Sequence, residues 1–212
     1  MPTSSSNPCS LRRKPRQARS QERVNRILEV AQALFVTQGY SATTTNAIAA
    51  QAKVPIGSLY QFFPDKSAIL QALSIQHGVQ LRQHLTEVLD TAEVATLPLP
   101  KYVDRLIDAT NQFFIENPGY QAIFMQVQGT MPELDEIDRT LDIQLIRDLS
   151  AAFSQRNAEL TTEDCDAIGF VFVKVIGNIL WLSLSQEESF RQRLIVETKR
   201  LALSYLQSYF CM

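Results

Sequence analysis

Polar side chains that suit nucleic-acid binding are concentrated between residues 44 and 66. Thr44 and Thr45 supply two adjacent hydroxyls, and Lys66 supplies an ammonium group. Ser58 and Gln61 are polar groups of the kind that hydrogen-bond to base edges, and glutamine pairs well with adenine. A hydroxyl at a helix N-terminus is a good phosphate ligand. These residues therefore suit contact with a duplex, provided that the surrounding elements present them on a surface.

Residue patterns for other chemistry are weak. His77 and His84 are seven residues apart on one helix face, but no third ligand accompanies them, so a solvated or capping pair is favoured over a metal site. The acidic run at 133–138 suits the first turn of a helix better than a catalytic carboxylate pair. The three cysteines are too few and too scattered for a disulfide scaffold. We therefore expect no enzyme, no metal and no cofactor.

Low glycine content and helical periodicity predict an all-α chain. Glycine makes up 7 of 212 residues, which disfavours the many tight turns of a sandwich or barrel. Apolar residues recur at helical spacing from Val24 to Phe35, with Ser20 as the expected N-cap and Gly39 as a left-handed stop. The predicted helices are 20–38, 45–52, 56–62, 66–93, 99–116, 119–128, 133–157, 162–185 and 187–210.

The net charge of −2 hides a division along the chain. Residues 1–66 carry nine Lys/Arg and three Asp/Glu, whereas residues 67–212 carry eleven and nineteen. Such asymmetry indicates a nucleic-acid or membrane-surface role for the basic part. Residues 1–18 are rich in Ser, Pro and Arg, so we expect a disordered basic arm. Two alternatives remain open for this arm: it contacts DNA, or it is a solvated tail.

One apolar stretch, 167–184, reaches the lower length limit for a membrane span. Lys174 and Asn178 lie near its middle, so a buried helix of a soluble protein is favoured. The basic N-terminal segment is not followed by an apolar run, which disfavours a signal peptide. We expect a cytoplasmic protein without a membrane span.

Two short predicted helices, 45–52 and 56–62, are joined by a turn of about four residues. Pro55 cannot continue the first helix but suits the first turn of the second. One longer helix precedes this pair and another follows it. The arrangement is that of a helix-turn-helix, whose second short helix enters the major groove.

The segment that starts at Thr43, TTTNAIAAQAKVPIGSLYQFFPDK, resembles the DNA-binding signature of the tetracycline-repressor (TetR) family. A Thr pair, Ile-Ala, Ala-x-Val, Gly, Leu-Tyr, Phe and Lys follow in the family's order, and the resemblance covers about residues 20–70. Lys53 is the departure, because the family most often has glycine there. Lys53 is expected either to adopt a left-handed conformation at some cost or to add a phosphate contact.

The resemblance implies a helix-turn-helix domain at 19–66 with a recognition helix at about 55–62. The family's matching tyrosine touches backbone phosphate, so we expect the same of Tyr60. Leu59, Phe62 and Phe63 are apolar and are expected to be core. The DNA-contact residues predicted in this way are Thr44, Thr45, Lys53, Pro55, Ile56, Gly57, Ser58, Tyr60, Gln61 and Lys66.

The resemblance also implies a ligand-binding and dimerisation domain at 67–212. The last two predicted helices are apolar enough for two copies to form a four-helix dimer interface. Few charges fall on apolar faces, which favours a small, mostly apolar effector. The candidate pocket residues, each with plain core as the alternative, are Phe113, Phe114, Phe124, Met125, Phe153, Phe172, Ile176 and Trp181.

The combined expectation is a homodimeric transcriptional regulator that binds a double-stranded DNA operator. We expect a repressor that binds a palindromic operator and is released by the effector. Two alternatives remain open: an activator or corepressor-dependent regulator, and a helical small-molecule or acyl-chain binding protein that does not regulate through DNA.

Overall fold

The computed structural model describes residues 18–89, 96–119 and 132–210, and within these ranges it contains no strand. The helices are α1 (Ala18–Gln38), α2 (Thr45–Gln51), α3 (Ile56–Phe62), α4 (Lys66–Leu89), α5 (Leu99–Glu116), α6 (Pro132–Arg156), α7 (Thr162–Ser183) and α8 (Glu188–Gln207). The all-α prediction is confirmed. Residues 1–17 of the predicted disordered arm (1–18), the predicted helix beyond Gly119, and the candidates Phe124 and Met125 lie outside the described residues, whereas Ala18, the last residue of that arm, is helical.

The described residues fall into two compact units. The first holds 18–77 and 132–138, and the second holds 78–89, 96–119 and 139–210. Helices α4 and α6 therefore contribute residues to both. The predicted domain limit between residues 66 and 67 stays a prediction.

Capping residues explain the limits of the N-terminal helices. α1 begins at Ala18, so Ser20 is not its N-cap; Ala18 and Arg19 are good helix formers and extend the helix backwards. Gly39 ends α1 with φ of 84°, as predicted, in the left-handed region that glycine adopts without strain. Asp65 caps α4, because its Oδ1 accepts a hydrogen bond from the amide of Ala68 at 2.8 Å.

The last two helices end earlier than predicted. α7 stops at Ser183 and α8 at Gln207, two and three residues before the predicted ends. Near both ends a serine hydroxyl donates to the carbonyl three residues earlier: Ser183 to Leu180 and Ser208 to Tyr205, each at 2.6 Å. Such side-chain bonds compete with the helical pattern of the backbone.

The core of the first unit joins α1, α2, α3 and the start of α4. Its fully buried side chains are Ile27, Phe35, Ile48, Leu59, Phe63, Ile69, Leu70 and Leu73. Phe62 is 5% exposed, so the predicted core role of Leu59, Phe62 and Phe63 is confirmed. Burying each large apolar side chain contributes about 1.5–3 kcal/mol, which holds α2 against α1 and α3 against α2.

The core of the second unit is built around α7, which packs against α5 and α8. By length and composition α7 also qualifies as a membrane-spanning helix. Gly169 faces α6 closely, since an added Cβ would lie 3.0 Å from Ser150 Oγ and 3.2 Å from the Ile146 carbonyl oxygen. At Gly177, by contrast, an added Cβ would meet no described atom within 4 Å.

Candidate nucleic-acid interface and ligand cavity

The N-terminus of α2 is closed by Thr44 and flanked by a second hydroxyl. Thr44 Oγ1 accepts a hydrogen bond from the amide of Ala47 at 3.1 Å, which makes Thr44 the N-cap. Thr45 Oγ1 instead lies 3.0 Å from the phenolic oxygen of Tyr60, on α3. The two adjacent threonines thus have different contacts: Thr44 caps α2, and Thr45 links α2 to Tyr60 on α3.

The turn between α2 and α3 depends on a strained lysine. Lys53 has φ of 55°, which is the left-handed conformation, one of the two alternatives that the sequence left open for this residue. Its amide donates to the carbonyl of Ala50 at 3.2 Å, and the amide of Val54 donates to that of Ala49 at 3.0 Å. These bonds close the end of α2, while the Lys53 side chain remains exposed.

Helix α3 has an inward and an outward face. Leu59 and Phe62 point into the core, whereas Ile56 is 38% and Tyr60 41% exposed. Ser58 is half-buried and Gln61 is exposed, so both are reachable from outside. Gly57 is open: an added Cβ would meet no described atom within 4 Å, which argues against packing as the reason for this glycine. Pro55 precedes α3, and its carbonyl accepts the amides of Ser58 and Leu59 at 2.8 Å and 3.2 Å.

Lys66 is bound to the protein's own backbone. Its Nζ donates to the carbonyls of Tyr40 at 2.5 Å and Thr43 at 2.8 Å, with that of Ser41 at 3.4 Å. The same ammonium lies 4.2 Å from the centroid of the Tyr40 ring. Partial burial lowers the pKa of Lys66 from its ordinary value. The predicted phosphate role of Lys66 is untested, but in the described geometry this charge organises the α1–α2 connection.

Four predicted contact residues meet in one surface depression. It has a volume of about 370 Å³ and is lined by Ser41, Thr43, Thr44, Thr45, Tyr60, Pro64, Asp65 and Lys66. Hydroxyl and phenol groups from two helices therefore converge on one place, as expected for a phosphate-binding edge. The remaining candidates lie on the outward side of α3 or in the turn before it and do not line this depression.

The second unit contains a cavity of about 350 Å³ between α4, α5 and α6. Its walls combine leucine and alanine side chains with charged groups; the lining residues are Arg82, Leu85, Thr86, Leu89, Tyr102, Leu145, Asp148, Leu149, Ala151, Ala152, Gln155 and Arg156. Arg82 binds Asp148 through two hydrogen bonds, Nε to Oδ2 at 2.5 Å and Nη2 to Oδ1 at 3.0 Å. The Arg156 guanidinium lies 4.1 Å from the centroid of the Tyr102 ring and donates to the carbonyl of Leu97 at 2.9 Å.

The predicted pocket residues do not line this cavity, as far as the structure describes them. Phe172 and Ile176 line a separate cavity of about 40 Å³. Phe113, Phe114, Phe153 and Trp181 are buried in aromatic packing, with Phe114 and Trp181 ring centroids 5.6 Å apart. The sequence signal for the larger cavity is the set of charges Arg82, Asp148 and Arg156 among leucine and alanine side chains, and the predicted pocket did not include them.

His77 and the described cysteine are buried, and His84 is half-buried. His77 is 4% exposed, and its Nε2 lies 3.1 Å from Gln32 Oε1, so it is a buried polar contact and not the solvated residue expected. His84 packs against Phe113 with ring centroids 5.8 Å apart. Burial raises the pKa of the Cys165 thiol. In the described ranges, no three His, Cys, Asp or Glu side chains form a metal-binding group.

Comparison with known proteins finds similar sequences over most of the chain. Residues 27–73 match the family model described as "Bacterial regulatory proteins, tetR family", and residues 98–206 match "Tetracyclin repressor-like, C-terminal domain". The uncharacterized HTH-type transcriptional regulator YxaF of Bacillus subtilis is 25% identical over 175 residues, covering 81% of this chain and 90% of that protein. HbdR of Aromatoleum, an HTH-type transcriptional regulator, is 48% identical over 50 residues, which is 24% of this chain and 22% of HbdR.

Solved structures show the same fold. A TetR-family transcriptional regulator from Streptomyces coelicolor has a TM-score of 0.63 and 26% identity, covering 90% of this chain and 98% of its own. One from Pectobacterium atrosepticum has a TM-score of 0.68 and 17% identity, with coverage of 94% and 99%. The two family matches together span both units of the structure. The chain belongs to the TetR family of DNA-binding transcriptional regulators, with an N-terminal helix-turn-helix and a C-terminal helical domain.

Proposed function

We propose that this protein is a cytoplasmic homodimeric repressor that binds a palindromic operator and is released by a small molecule. The observation that carries this proposal is the meeting of Thr44, Thr45 and Tyr60 at one surface depression beside the outward face of α3. A helix-turn-helix places its second helix in the major groove and uses neighbouring polar groups to hold phosphates.

The contact residues divide into positioning and specifying groups. Thr45 and Tyr60 bind backbone phosphate, and the exposed ammonium of Lys53 adds a phosphate contact beside the start of α3. Ser58 and Gln61 face base edges, with Ile56 placed to touch a thymine methyl. The open site at Gly57 allows the α3 backbone to approach the duplex closely.

Exposed apolar side chains on α7 and α8 supply the dimer surface. On α7 they recur at Val171, Val175 and Leu182, which lie on one side of the helix. On α8 the exposed Phe190 and Leu201 lie three turns apart on one side. Pairing these apolar faces of α7 and α8 with the same faces of a second copy, across a two-fold axis, would form a four-helix interface. It would set the recognition helices about 34–36 Å apart.

The cavity between α4, α5 and α6 is the proposed effector site. Its volume of about 350 Å³ is within the range of small-molecule pockets. A ligand acts on DNA binding only through different affinities for two conformations, one of which spaces the recognition helices wrongly. Helix α4 lines this cavity and begins at Lys66 in the first unit, so it physically connects ligand site and DNA site.

Selection of duplexes from a random library with full-length, ligand-free protein tests the DNA-binding proposal. Enriched sequences should contain two inverted half-sites about one helical turn apart. Gln61→Ala should relax preference at one position of each half-site, whereas Tyr60→Phe should weaken binding to all duplexes alike. Enrichment of no duplex at low salt would support the alternative of a small-molecule binding protein without DNA regulation.

A further inference from the structure

The larger cavity lies beside a second, smaller one, and the two share lining residues. Leu85, Leu145 and Leu149 line both. The smaller cavity is apolar apart from Thr110, whose hydroxyl already donates to the carbonyl of Leu106 at 2.8 Å. Gly177 forms part of its wall and leaves space where a side chain would stand. Three leucine side chains thus separate a partly charged outer chamber from an apolar inner one.

The outer chamber already contains one carboxylate bound by an arginine. Both oxygens of Asp148 accept hydrogen bonds from the Arg82 guanidinium, the two-point geometry that arginine forms with carboxylates. The Arg82 and Asp148 side chains are 47% and 39% exposed, so a solute can reach the pair. Arg82 lies on α4 and Asp148 on α6, so the pair ties these two helices together.

We propose that the effector is a carboxylate with an elongated apolar body, and that its carboxylate displaces Asp148 from Arg82. Its apolar end passes the three leucines toward the inner chamber. Loss of the Arg82–Asp148 pair releases α4 from α6, and α4 carries the change to the helix-turn-helix through one continuous helix. This inference depends on the proposed effector site and adds the ligand class and the ion pair that the ligand breaks.

Decanoate, decanamide and decyltrimethylammonium test the ligand class, because they share a chain and differ in head group. In isothermal titration calorimetry with the full-length protein, decanoate should bind at least tenfold more tightly than decanamide or decyltrimethylammonium. Arg82→Met should reduce this preference to twofold or less, and Arg82→Lys should retain part of it. Asp148→Asn should strengthen decanoate binding threefold or more, because the ligand no longer competes with a carboxylate.

Operator-binding measurements test whether the Arg82–Asp148 pair stabilises the DNA-binding conformation. Asp148→Asn should weaken binding to the selected operator two- to fivefold without ligand, and decanoate should weaken wild-type binding. Asp108→Asn, which removes part of a different α5–α8 ion pair with Lys199, should change neither readout. Equal binding of the three probes by wild type, or an undiminished preference in folded Arg82→Met, would overturn the proposal. That failure is separate from failure of the repressor proposal, which shows as absence of operator binding.

Discussion

The ammonium group of Lys66 satisfies backbone carbonyls of the segment that connects α1 to α2. Two of these bonds, to Tyr40 and Thr43, are 2.5 Å and 2.8 Å long, and they reach 26 and 23 residues back along the chain. Thr43 directly precedes the α2 N-cap, so Lys66 fixes the position from which Thr44 and Thr45 project. A positively charged donor is well suited to this, since charged hydrogen bonds are stronger than neutral ones.

Lys66→Met should therefore act mainly through structure. Loss of the charged hydrogen bonds should lower the free energy of unfolding by about 2 kcal/mol, because carbonyls of the α1–α2 connection lose their donor. Operator affinity should fall, while the slope of log affinity against log salt should stay close to that of wild type. Urea unfolding and fluorescence anisotropy of labelled operator across salt concentrations provide the two measurements.

Lys66→Arg is the matched control for charge. It keeps the cation but changes the shape of the donor, so it should recover part of the stability. A direct bond from Lys66 to phosphate predicts a different pattern for Lys66→Met. The salt slope would then become shallower by about 0.9 for each phosphate that the variant no longer neutralises, with little change in stability.

At the scale of elements, the start of α7 is fixed by a reciprocal cap. Thr161 Oγ1 accepts from the amide of Asp164 at 3.1 Å, and Asp164 Oδ2 accepts from the amide of Thr161 at 3.1 Å and from its hydroxyl at 2.6 Å. These hydrogen bonds to the carboxylate lower the pKa of Asp164 from its ordinary value of 3.8. The cap thus defines the first residue of the central helix of the second unit.

Thr161→Ala should lower the free energy of unfolding by about 1 kcal/mol at neutral pH, because it removes the N-cap. Thr162→Ala is the control, since Thr162 is exposed and is not the residue that caps α7. Equal destabilisation by both substitutions would contradict the assigned cap. Urea unfolding monitored by circular dichroism gives both values.

The lowered pKa of Asp164 also gives a pH dependence. Its stabilising contribution is present above the unfolded-state pKa and is lost as the pH falls through the lower folded-state pKa. The stability difference between wild type and Asp164→Asn should therefore shrink as the pH is lowered below about 4. A difference that stays constant over that range would argue against an ionised cap.

The limits of α1 and of the helix-turn-helix pair α2 and α3 were largely predictable from sequence because local signals determine them. Glycine at position 39, proline at position 55 and helical periodicity place the ends of α1, α2 and α3 within two residues. The cavity between α4, α5 and α6 was not predictable in the same way. Whether Phe153 fills the core or lines a space depends on how α6 and α7 meet, which no local pattern records. The bonds of Lys66 to distant carbonyls were missed for the same reason.

At the scale of the whole molecule, the exposed apolar side chains of α7 and α8 form the surface through which we propose that two chains pair. Leu182 is 56% and Leu201 45% exposed, on helices that also carry buried side chains. Covering this surface with a second copy removes apolar area from water and orders two DNA-binding units together. Operator affinity should consequently depend on this surface although it makes no DNA contact.

Leu182→Asp and Leu201→Asp should each convert the dimer to a monomer, because a charge in the apolar interface would be buried without a partner. Sedimentation analysis should show halved mass, and operator affinity should fall by at least tenfold. Val196→Asp is the matched control: Val196 is 45% exposed on the same helix but lies about 140° around it from Leu201. Val196→Asp should remain dimeric; dimers in all three variants would place the interface elsewhere.

Trp181, packed edge-on against Phe114, is the sole tryptophan of the chain. It is 4% exposed and belongs to the second unit, while the first unit has only tyrosine and phenylalanine as aromatic chromophores. Tryptophan fluorescence, excited at the red edge of the aromatic absorption band, therefore reports unfolding of the second unit alone. Far-ultraviolet ellipticity reports unfolding of both units. The protein thus carries an intrinsic optical label that distinguishes independent from concerted melting of its two halves, with no added dye.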